Sequence, residues 1–433
     1  MLAGCASQPL LPDAAPGLSF DPRAVARGAQ LAAIGNCIDC HTAAGGRPYA
    51  GGRALKTPFG IIHGTNITPD SDTGIGRWSE AAFFRAMREG VDREGRHLYP
   101  AFPYDHYTKV TDDDIRAIYA YLMTREPMRA VPPPNKLPFP FNIRSLIAVW
   151  KRLYFKPGVF RPDPARNSEW NRGAYLVQGL GHCGACHTPR NALGAEKKTE
   201  YLEGGEAGGW HGPALTAASP APVPWTAEQL HKYLRTGLDD LHAIAVGPME
   251  PVVRNLATVP EQDVRAMAIY LAAIAGEPSP HRRKKAQDAL AHARREEASY
   301  PFPDRTDHEA VGRGGDRAYQ NGRAIYSGAC AACHDQGRQP TSGAALHLAL
   351  GTAMTIPTSA NLVHLIMEGI TPPDGDVGRF MPGFASELTN EQVRDLVAYI
   401  REYFGRAPAW YDIEDEVRKS RKELSERNGK AKG

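Results

Sequence analysis

Three copies of one five-residue pattern carry the most visible chemistry in this sequence. Each copy reads Cys-x-x-Cys-His, at residues 37–41, 183–187 and 330–334. Two thiols spaced in this way can share one helical turn and add to the two vinyl groups of a haem, and the adjacent histidine can bind its iron. The sequence therefore predicts three covalently bound haem c groups. The residues concerned are Cys37, Cys40, His41, Cys183, Cys186, His187, Cys330, Cys333 and His334.

A zinc site or a disulfide is the alternative interpretation of paired cysteines. Structural zinc is held by four ligands, which usually come from two neighbouring pairs. Here the three pairs are separated by almost equal stretches of sequence, and each pair is followed by its own histidine. This arrangement favours three separate haem sites, one in each third of the chain.

The second axial ligand of an electron-transfer haem is usually a methionine thioether or a histidine. Met249 and Met381 both follow a glycine-containing loop, and both precede the last helix predicted for their third of the chain. Methionine also fills gaps in hydrophobic cores. The shared position nevertheless favours Met249 as ligand of the second haem and Met381 as ligand of the third.

The first haem departs from this pattern, because Phe102 stands where the methionine is expected. A phenyl ring cannot bind iron, so another residue must supply the ligand. Met87 on the preceding helix is the first choice, since the residues aligned with it, Leu234 and Ile366, are expected on the distal side of the haem. His106 is the second choice, and an open sixth position is the third.

Two helices are expected to position each attachment turn. A Gly-x-x-aliphatic pattern precedes each first cysteine, and because glycine weakens a helix, its repeated use predicts close backbone contact with another element. That element is the last helix of each third, where apolar residues recur at helical spacing. The glycines are Gly28, Gly173 and Gly322, and the tyrosines aligned on the last helices are Tyr121, Tyr270 and Tyr399.

These patterns predict an all-α chain of three tandem domains joined by proline-rich and charged linkers. Thr111 and Thr389 are the predicted N-caps of two of the last helices, because Asp114 and Gln392 follow them at the capping-box distance. The predicted divisions are a tether at 1–20, domains at 21–130, 166–280 and 316–410, linkers at 131–165 and 281–315, and a charged tail at 411–433.

The linkers differ in composition. Five prolines between 132 and 140 stiffen the first linker, and its segment 143–155 is apolar, aromatic and basic. We expect this segment to pack between the first two domains, with a membrane surface or a partner protein as the alternative. The second linker contains a charged helix at 282–298 with no apolar face, and the tail after Tyr411 is expected to fray.

Composition and the seventh cysteine limit the possible partners and location of the protein. A net charge of +3 in 433 residues is too weak to indicate nucleic-acid binding, and no run of 18 apolar residues predicts a membrane span.

Ala3 and Gly4 precede Cys5 as small residues precede the lipid-modified cysteine of bacterial lipoproteins. The charged and apolar stretch expected upstream is missing, so our hypothesis is that the sequence begins late and that Cys5 is acylated. An unpaired thiol is the alternative.

The three domains resemble class I cytochromes c, in which a glycine of the first helix meets an aromatic residue of the last. The whole chain resembles the triple-haem cytochrome c subunits of bacterial periplasmic, membrane-associated dehydrogenases. The matching segments are 66–70, 95–101, 169–177, 181–183 and 188–191, and the third domain matches mainly through its haem site and Met381. This resemblance implies a periplasmic protein attached to a membrane, which takes electrons from a catalytic dehydrogenase subunit and passes them to ubiquinone or a terminal oxidase.

The resemblance covers several kinds of partner enzyme. Quinoprotein alcohol dehydrogenases, flavin-dependent sugar and gluconate dehydrogenases, and molybdenum hydroxylases acting on aldehydes, isoquinoline or nicotinate all use such subunits. The variant at 101–104 looks more like the molybdenum group, which implies a partner with a small iron–sulfur subunit. No nucleophile or acid–base pair is apparent, so we expect no catalysis by the chain alone. A multi-haem peroxidase with an open first haem is the alternative.

Overall fold

The computed structural model describes residues 9–15, 17–298, 317–334, 347–371 and 380–430. The chain divides into two compact units, one formed by Met1–Leu202, Leu234–Thr236 and Pro248–Leu271, the other by Glu203–Tyr233, Gly237–Gly247 and Ala272–Gly433. The helices are α1 (Pro22–Ile34), α2 (Cys37–Cys40), α3 (Glu80–Glu89), α4 (Tyr104–Tyr107), α5 (Asp112–Met123), α6 (Leu146–Tyr154), α7 (Ser168–Gln178), α8 (Gly184–His187), α9 (Ala227–Thr236), α10 (Met249–Leu256), α11 (Glu261–Ala275), α12 (Pro280–Ala298), α13 (Arg317–Ile325), α14 (Ala331–His334), α15 (Ala360–Glu368), α16 (Asn390–Tyr403) and α17 (Ile413–Lys430). The strands are β1 (Ala54–Thr57), β2 (Gly60–His63), β3 (Gly205–Ala207), β4 (Trp210–Gly212), β5 (Leu238–Asp239) and β6 (Ala243–Ile244).

The first unit contains a close crossing of α1 and α5. A Cβ added to Gly28 would lie 1.9 Å from the carbonyl oxygen of Ala117 and 2.7 Å from the Cβ of Tyr121. No side chain fits at such a distance, so only glycine allows the two backbones to approach. The Thr111 side chain accepts a hydrogen bond from the Asp114 amide at the start of α5, which confirms the predicted N-cap.

The same crossing occurs twice more. In the first unit a Cβ on Gly173 of α7 would lie 1.9 Å from the Ala266 oxygen and 2.8 Å from the Cβ of Tyr270. In the second unit a Cβ on Gly322 of α13 would lie 2.6 Å from the Cβ of Tyr399, on α16. The prediction of close contact at the three glycines is therefore confirmed, as is the alignment of the three tyrosines.

Ionic contacts tie the two crossings of the first unit to each other. Arg27 of α1 lies 3.3 Å from Asp114 and 3.6 Å from Asp263, while the Tyr175 hydroxyl donates to Asp114 over 2.7 Å. Arg172 of α7 pairs with Asp263 at 2.8 Å. Because each aspartate receives donors from both crossings, the four helices form one packed body.

In the described parts of the chain, three short antiparallel hairpins interrupt the helical framework: β1–β2, β3–β4 and β5–β6. The all-α prediction is right for the framework and omits these hairpins. Each strand has two to four residues, too few to show the alternating pattern on which strand prediction depends. The hairpin β3–β4 closes through Gly208 and Gly209, both at positive φ.

One side of the apolar segment of the first linker packs within the first unit, as expected. The ammonium group of Lys151 on α6 donates to the Gly90 carbonyl over 2.9 Å, and the Trp150 indole donates to the Leu193 carbonyl, also over 2.9 Å. These partners belong to the predicted first and second domains. The boundaries of the predicted second domain, whose residues contribute to both units, remain a prediction.

Three terminal and linker expectations need correction. Residues 9–14 are attached to the first unit rather than forming a loose tether: the Leu11 amide donates to the Arg93 carbonyl, and Asp13 pairs with Arg77 at 2.9 Å. The helix α12 has a buried side, at Ala286 and Ala293. The charged tail forms α17, which packs on the second unit through Ile413 and Val417. The apolar residues of α12 are small and those of α17 are sparse, so the sequence pattern did not indicate a buried side on either helix.

Cys5 and residues 299–315 of the second linker lie outside the described residues. Within the described part of the chain, no helix is long and apolar enough to cross a membrane.

Candidate haem sites

The first attachment site is a single turn of helix. Cys37 and Cys40 are the first and last residues of α2, and the His41 amide closes the turn by donating to the Cys37 carbonyl over 3.1 Å. The His41 Nδ1 atom lies 2.7 Å from the carbonyl oxygen of Thr65. Since a carbonyl oxygen only accepts, Nδ1 carries the proton and Nε2 keeps its lone pair for a metal. This is the orientation that a proximal haem ligand requires.

The second and third sites repeat this local structure. Cys183 caps α8, and the amide of His187 donates to its carbonyl over 3.0 Å. In the second unit, Cys330 ends a π-helical stretch and Cys333 lies on α14, which ends at His334. Each site therefore places two sulfurs three residues apart on one turn, with a histidine directly after the second.

The attachment sulfurs are free, and all of them except the exposed Cys333 are at least partly buried. None of the six attachment cysteines forms a disulfide. Burial raises the pKa of Cys37 and of Cys183 to about 12, and that of Cys40 and Cys330 to about 11. Neutral thiols in an apolar cleft suit thioether bonds to a porphyrin better than a zinc site, where the ligands must be thiolates.

Polar groups left over beside the sites also fit a haem. The Tyr201 hydroxyl is buried and has no hydrogen-bond partner among the described residues. Its ring lies against Gly184 of α8, where an added Cβ would be 2.8 Å away. A buried hydroxyl without a partner is costly, so a polar group of a bound cofactor would satisfy it. The residues present therefore fit covalent haem c.

The three candidate axial methionines occupy different local structures. Met87 is buried on α3, with 5% of its surface exposed. Met249 is half-buried and begins the helix α10 instead of lying on a loop. Met381 pairs with Ile370 through two backbone hydrogen bonds of 2.8 and 2.9 Å. Their assignment as iron ligands stays a prediction, whereas each Cys-x-x-Cys-His set is brought together on its own turn.

His106, the second choice for the first haem, has both ring nitrogens engaged. Nδ1 lies 2.9 Å from the Gln178 carbonyl oxygen, and Nε2 lies 2.7 Å from a carboxylate oxygen of Glu196. These contacts turn the ring away from the role of iron ligand. Glu196 lies 90 residues further along the chain, so no local pattern in the sequence could reveal the pairing.

His106 and Glu196 form a buried ion pair. Asp105, His106 and Glu196 bring their ligand atoms within 4.8 Å of one another, close enough to hold a metal ion. The His106 Nδ1 must donate to Gln178, so its Nε2 approaches Glu196 as closely as it does only by sharing a proton or a cation. Arg190 lies 3.8 Å from Glu196, and this permanent positive charge disfavours a divalent metal. A shared proton is the simpler state.

The pKa shifts agree with this pairing. Burial works to lower the pKa of His106, but the hydrogen bond and charge of Glu196 outweigh it and raise that pKa above its usual value. Burial works to raise the pKa of Glu196, but its bond to His106 lowers it. Each group therefore favours the charged form of the other.

The segments that precede the first and second attachment turns lie against each other. A Cβ on Gly35 would be 3.1 Å from the Leu180 side chain and 3.4 Å from the Cys37 sulfur. The side chains of Asn36 and Asn255 are hydrogen bonded, and the charge of Cys186 would raise the pKa of Cys40. Two haems attached here would be close neighbours, a relation that the sequence spacing does not show.

Comparisons with known proteins agree with this geometry. The family model described as cytochrome c matches residues 25–126. A second model, described as cytochrome C oxidase, cbb3-type, subunit III, matches residues 317–400. The fold and these two matched regions define a c-type cytochrome with covalently bound haem.

Three relatives cover most of the chain. A subunit of the nicotinate dehydrogenase of Pseudomonas putida is 44% identical over 409 residues, which are 93% of this chain but 32% of that protein. The fructose dehydrogenase cytochrome subunit of Gluconobacter japonicus is 36% identical, with 89% of this chain and 80% of that protein covered. The gluconate 2-dehydrogenase cytochrome c subunit of Pantoea cypripedii is 35% identical, with 88% and 86% covered.

The chain belongs to the family of cytochrome c subunits of bacterial dehydrogenase complexes, and its function is electron transfer. The expected resemblance is thereby confirmed. The chain spans about a third of the nicotinate dehydrogenase subunit and about four fifths of the fructose dehydrogenase subunit.

Proposed function

We propose that the chain is a three-haem relay that accepts electrons from a catalytic dehydrogenase subunit. The observation that carries this proposal is the threefold repetition of one unit of structure. Each Cys-x-x-Cys-His turn follows a helix whose glycine packs against a tyrosine-bearing last helix. Haem c supplies a one-electron iron couple at each turn. The middle site, at Cys183, Cys186 and His187, shares this structure although the two family models match only the outer regions.

The side chains of this protein would set how each site behaves. His41, His187 and His334 would each bind the iron of the haem attached beside them, and the Thr65 carbonyl fixes the ring of His41. Met87, Met249 and Met381 would each supply the second iron ligand. Because ligand type and burial tune the reduction potential of a haem, a first site with an unusual methionine differs in potential from the other two.

The partner enzyme that we favour is of the molybdenum hydroxylase type, with a small iron–sulfur subunit. Its support is the 44% identity to a nicotinate dehydrogenase subunit, higher than the identity to the fructose dehydrogenase subunit. The acceptor in this proposal is ubiquinone or a terminal oxidase. A quinoprotein alcohol or flavin sugar dehydrogenase is the second candidate partner, supported by the greater share of those subunits that this chain covers.

A periplasmic location at a membrane surface completes the proposal. A lipid on Cys5 would provide one anchor. The helix α6 provides a second, because Leu146, Val149 and Leu153 expose 45%, 54% and 65% of their surface along one side of it. Arg152 is also exposed on this helix, and basic residues beside an apolar stripe favour contact with anionic lipid.

A haem count tests the proposal. The pyridine haemochrome assay on purified protein is expected to give three covalently bound haems per chain. Replacing both Cys183 and Cys186 by alanine is expected to lower the count to two and leave the outer haems reducible. A count below three in the unaltered protein would contradict the three-haem relay, and a count left unchanged by the double replacement would show that Cys183 and Cys186 hold no haem.

A further inference from the structure

One side chain links the first two attachment turns. His182 directly precedes Cys183, and its Nε2 atom lies 3.3 Å from the carbonyl oxygen of Gly35. Gly35 stands two residues before Cys37. A chain of covalent bonds and one hydrogen bond therefore runs from one attachment cysteine to the other, entirely within the first unit.

The backbone of His182 is held in an unfavourable conformation. Its φ is +36°, in the left-handed region that residues with a side chain rarely adopt. Asn36, which precedes the first cysteine of the other turn, has φ +48°. Strain of this kind persists where the surrounding structure enforces it, and it often marks functional positions. Here it aims the His182 ring at the neighbouring turn.

The ring of His182 is fixed by its neighbours and is neutral. It meets the ring of Tyr107 edge to face at 5.7 Å and that of His106 at 6.4 Å. Burial, followed by the charge of His106, lowers the pKa of His182 to about 4. Because the Gly35 oxygen only accepts, the single ring proton lies on Nε2.

We propose that His182 is the electron-transfer bridge between the first and second haems, through its hydrogen bond to the Gly35 carbonyl. The inference deepens the proposed relay function and rests on it. Electron tunnelling decays less steeply through covalent and hydrogen bonds than through gaps between atoms. The route Cys183–His182–Gly35–Cys37 contains one hydrogen bond and no gap. Tyr107 also donates to the Gly35 oxygen, but over 3.4 Å and without a covalent link to a haem cysteine.

The step moves one electron and no atoms. One iron passes from ferrous to ferric and the other from ferric to ferrous, and His182 keeps its Nε2 proton throughout. No bond forms or breaks, and no further reactant is required.

Two variants of His182 and one of Tyr107 test the bridge in the full-length protein. His182→Gly accepts the positive φ without strain and removes the hydrogen bond. His182→Gln carries an amide N–H that can reach about as far as Nε2. Tyr107→Phe is the matched control, because it removes the other donor to the same carbonyl. For each protein, the haem count and the individual reduction potentials are measured first. Electron redistribution between the haems is then followed by absorbance after flash reduction.

The bridge predicts a several-fold slower redistribution in His182→Gly with three haems and unchanged potentials, partial recovery in His182→Gln, and the native rate in Tyr107→Phe. An unchanged rate in His182→Gly would overturn the inference, as would equal slowing by Tyr107→Phe. If His182→Gly loses a haem, His182→Gln is compared with the native protein instead. A slower redistribution at unchanged potentials then supports the bridge, and an unchanged rate overturns it. Failure of the relay itself would show separately, as a haem count below three in the native protein.

Discussion

The first and third haem regions share one side of their architecture and differ on the other. On the shared side, Gly28 packs against the Tyr121 position and Gly322 against the Tyr399 position, with almost equal spacing. On the other side, the third region pairs Met381 with Ile370 through the backbone. The first region places Phe102 in the corresponding loop, where its ring packs on Tyr107 at 5.2 Å.

This difference shows which part of the fold is fixed by sterics. A crossing in which an added Cβ would overlap a backbone oxygen tolerates no variation. The proposed distal ligand would be a single side chain, and more than one residue type or position could supply it. In the first region we propose Met87, which is buried on α3.

The largest expected effect is a change in the spin state of the first and third haems. Met381→Leu is expected to convert the third haem to a five-coordinate, high-spin state, and Met87→Leu is expected to do the same to the first, because leucine cannot bind iron. The measurement is the visible and magnetic circular dichroism spectrum of the oxidised protein.

His106→Gln serves as the control for the first region, since both nitrogens of His106 are engaged with Gln178 and Glu196. It should leave the spin state unchanged. A low-spin first haem in Met87→Leu together with a high-spin one in His106→Gln would reverse the ligand assignment.

The next effect is a loss of stability when alanine replaces the glycine at each helix crossing. It tests whether the first and third regions depend equally on glycine there. Gly28→Ala and Gly322→Ala should each destabilise their region by about 3 kcal/mol, since overpacking forces the helices apart. Gly158→Ala is the control, because nothing lies within 4 Å of the added Cβ. The free energy of unfolding is measured by chemical denaturation followed by circular dichroism. A Gly28 variant as stable as the Gly158 control would contradict the crossing.

Much of the shared side could be predicted from sequence, and the distal and inter-site contacts could not. The glycine and the tyrosine recur at corresponding positions in all three repeats, and the capping threonine recurs in two, so repetition reveals them although Gly28 and Tyr121 are far apart in the sequence. The partners of His106 and His182 lie 90 and 147 residues away along the chain. Nothing in the local sequence indicates such distant pairs, although the position of His182 directly before a haem cysteine was a signal that could have been followed.

A smaller effect on stability is expected when the glutamate of a buried histidine–glutamate pair is replaced, and the protein has two such pairs to compare among its described residues. Glu196 pairs with His106 in the first region, and Glu368 pairs with His364 at 2.7 Å in the third. Glu196→Gln is expected to cost about 2 kcal/mol, because it leaves a buried imidazole without its charged partner. Glu368→Gln is expected to cost less, since the Glu368 side chain is 21% exposed and that of Glu196 only 9%.

The difference in stability between the native protein and Glu196→Gln should depend on pH. The pKa of His106 is raised above 6.5, so its contribution is complete below pH 6.5 and is lost as pH rises through the folded-state pKa. The pKa of Glu196 is lowered from 4.5, so its contribution is complete above pH 4.5 and is lost as pH falls through its folded-state value. The excess stability of the native protein over Glu196→Gln should therefore be greatest between these limits. Denaturation at a series of pH values measures it, and a pH-independent difference would argue against an ion pair.

The smallest effect concerns the caps of the two last helices. Thr389 forms a reciprocal capping box with Gln392, whereas Thr111 accepts one amide hydrogen bond from Asp114 and lies 3.4 Å from the Tyr175 hydroxyl. Thr111→Ala and Thr389→Ala should each cost about 1 kcal/mol in the free energy of unfolding. Replacement by serine keeps the oxygen and should restore most of the loss in both. If Thr111→Ala costs clearly more than Thr389→Ala, the contact with Tyr175 contributes beyond the cap. The first region would then depend on its neighbouring crossing in a way that the third does not.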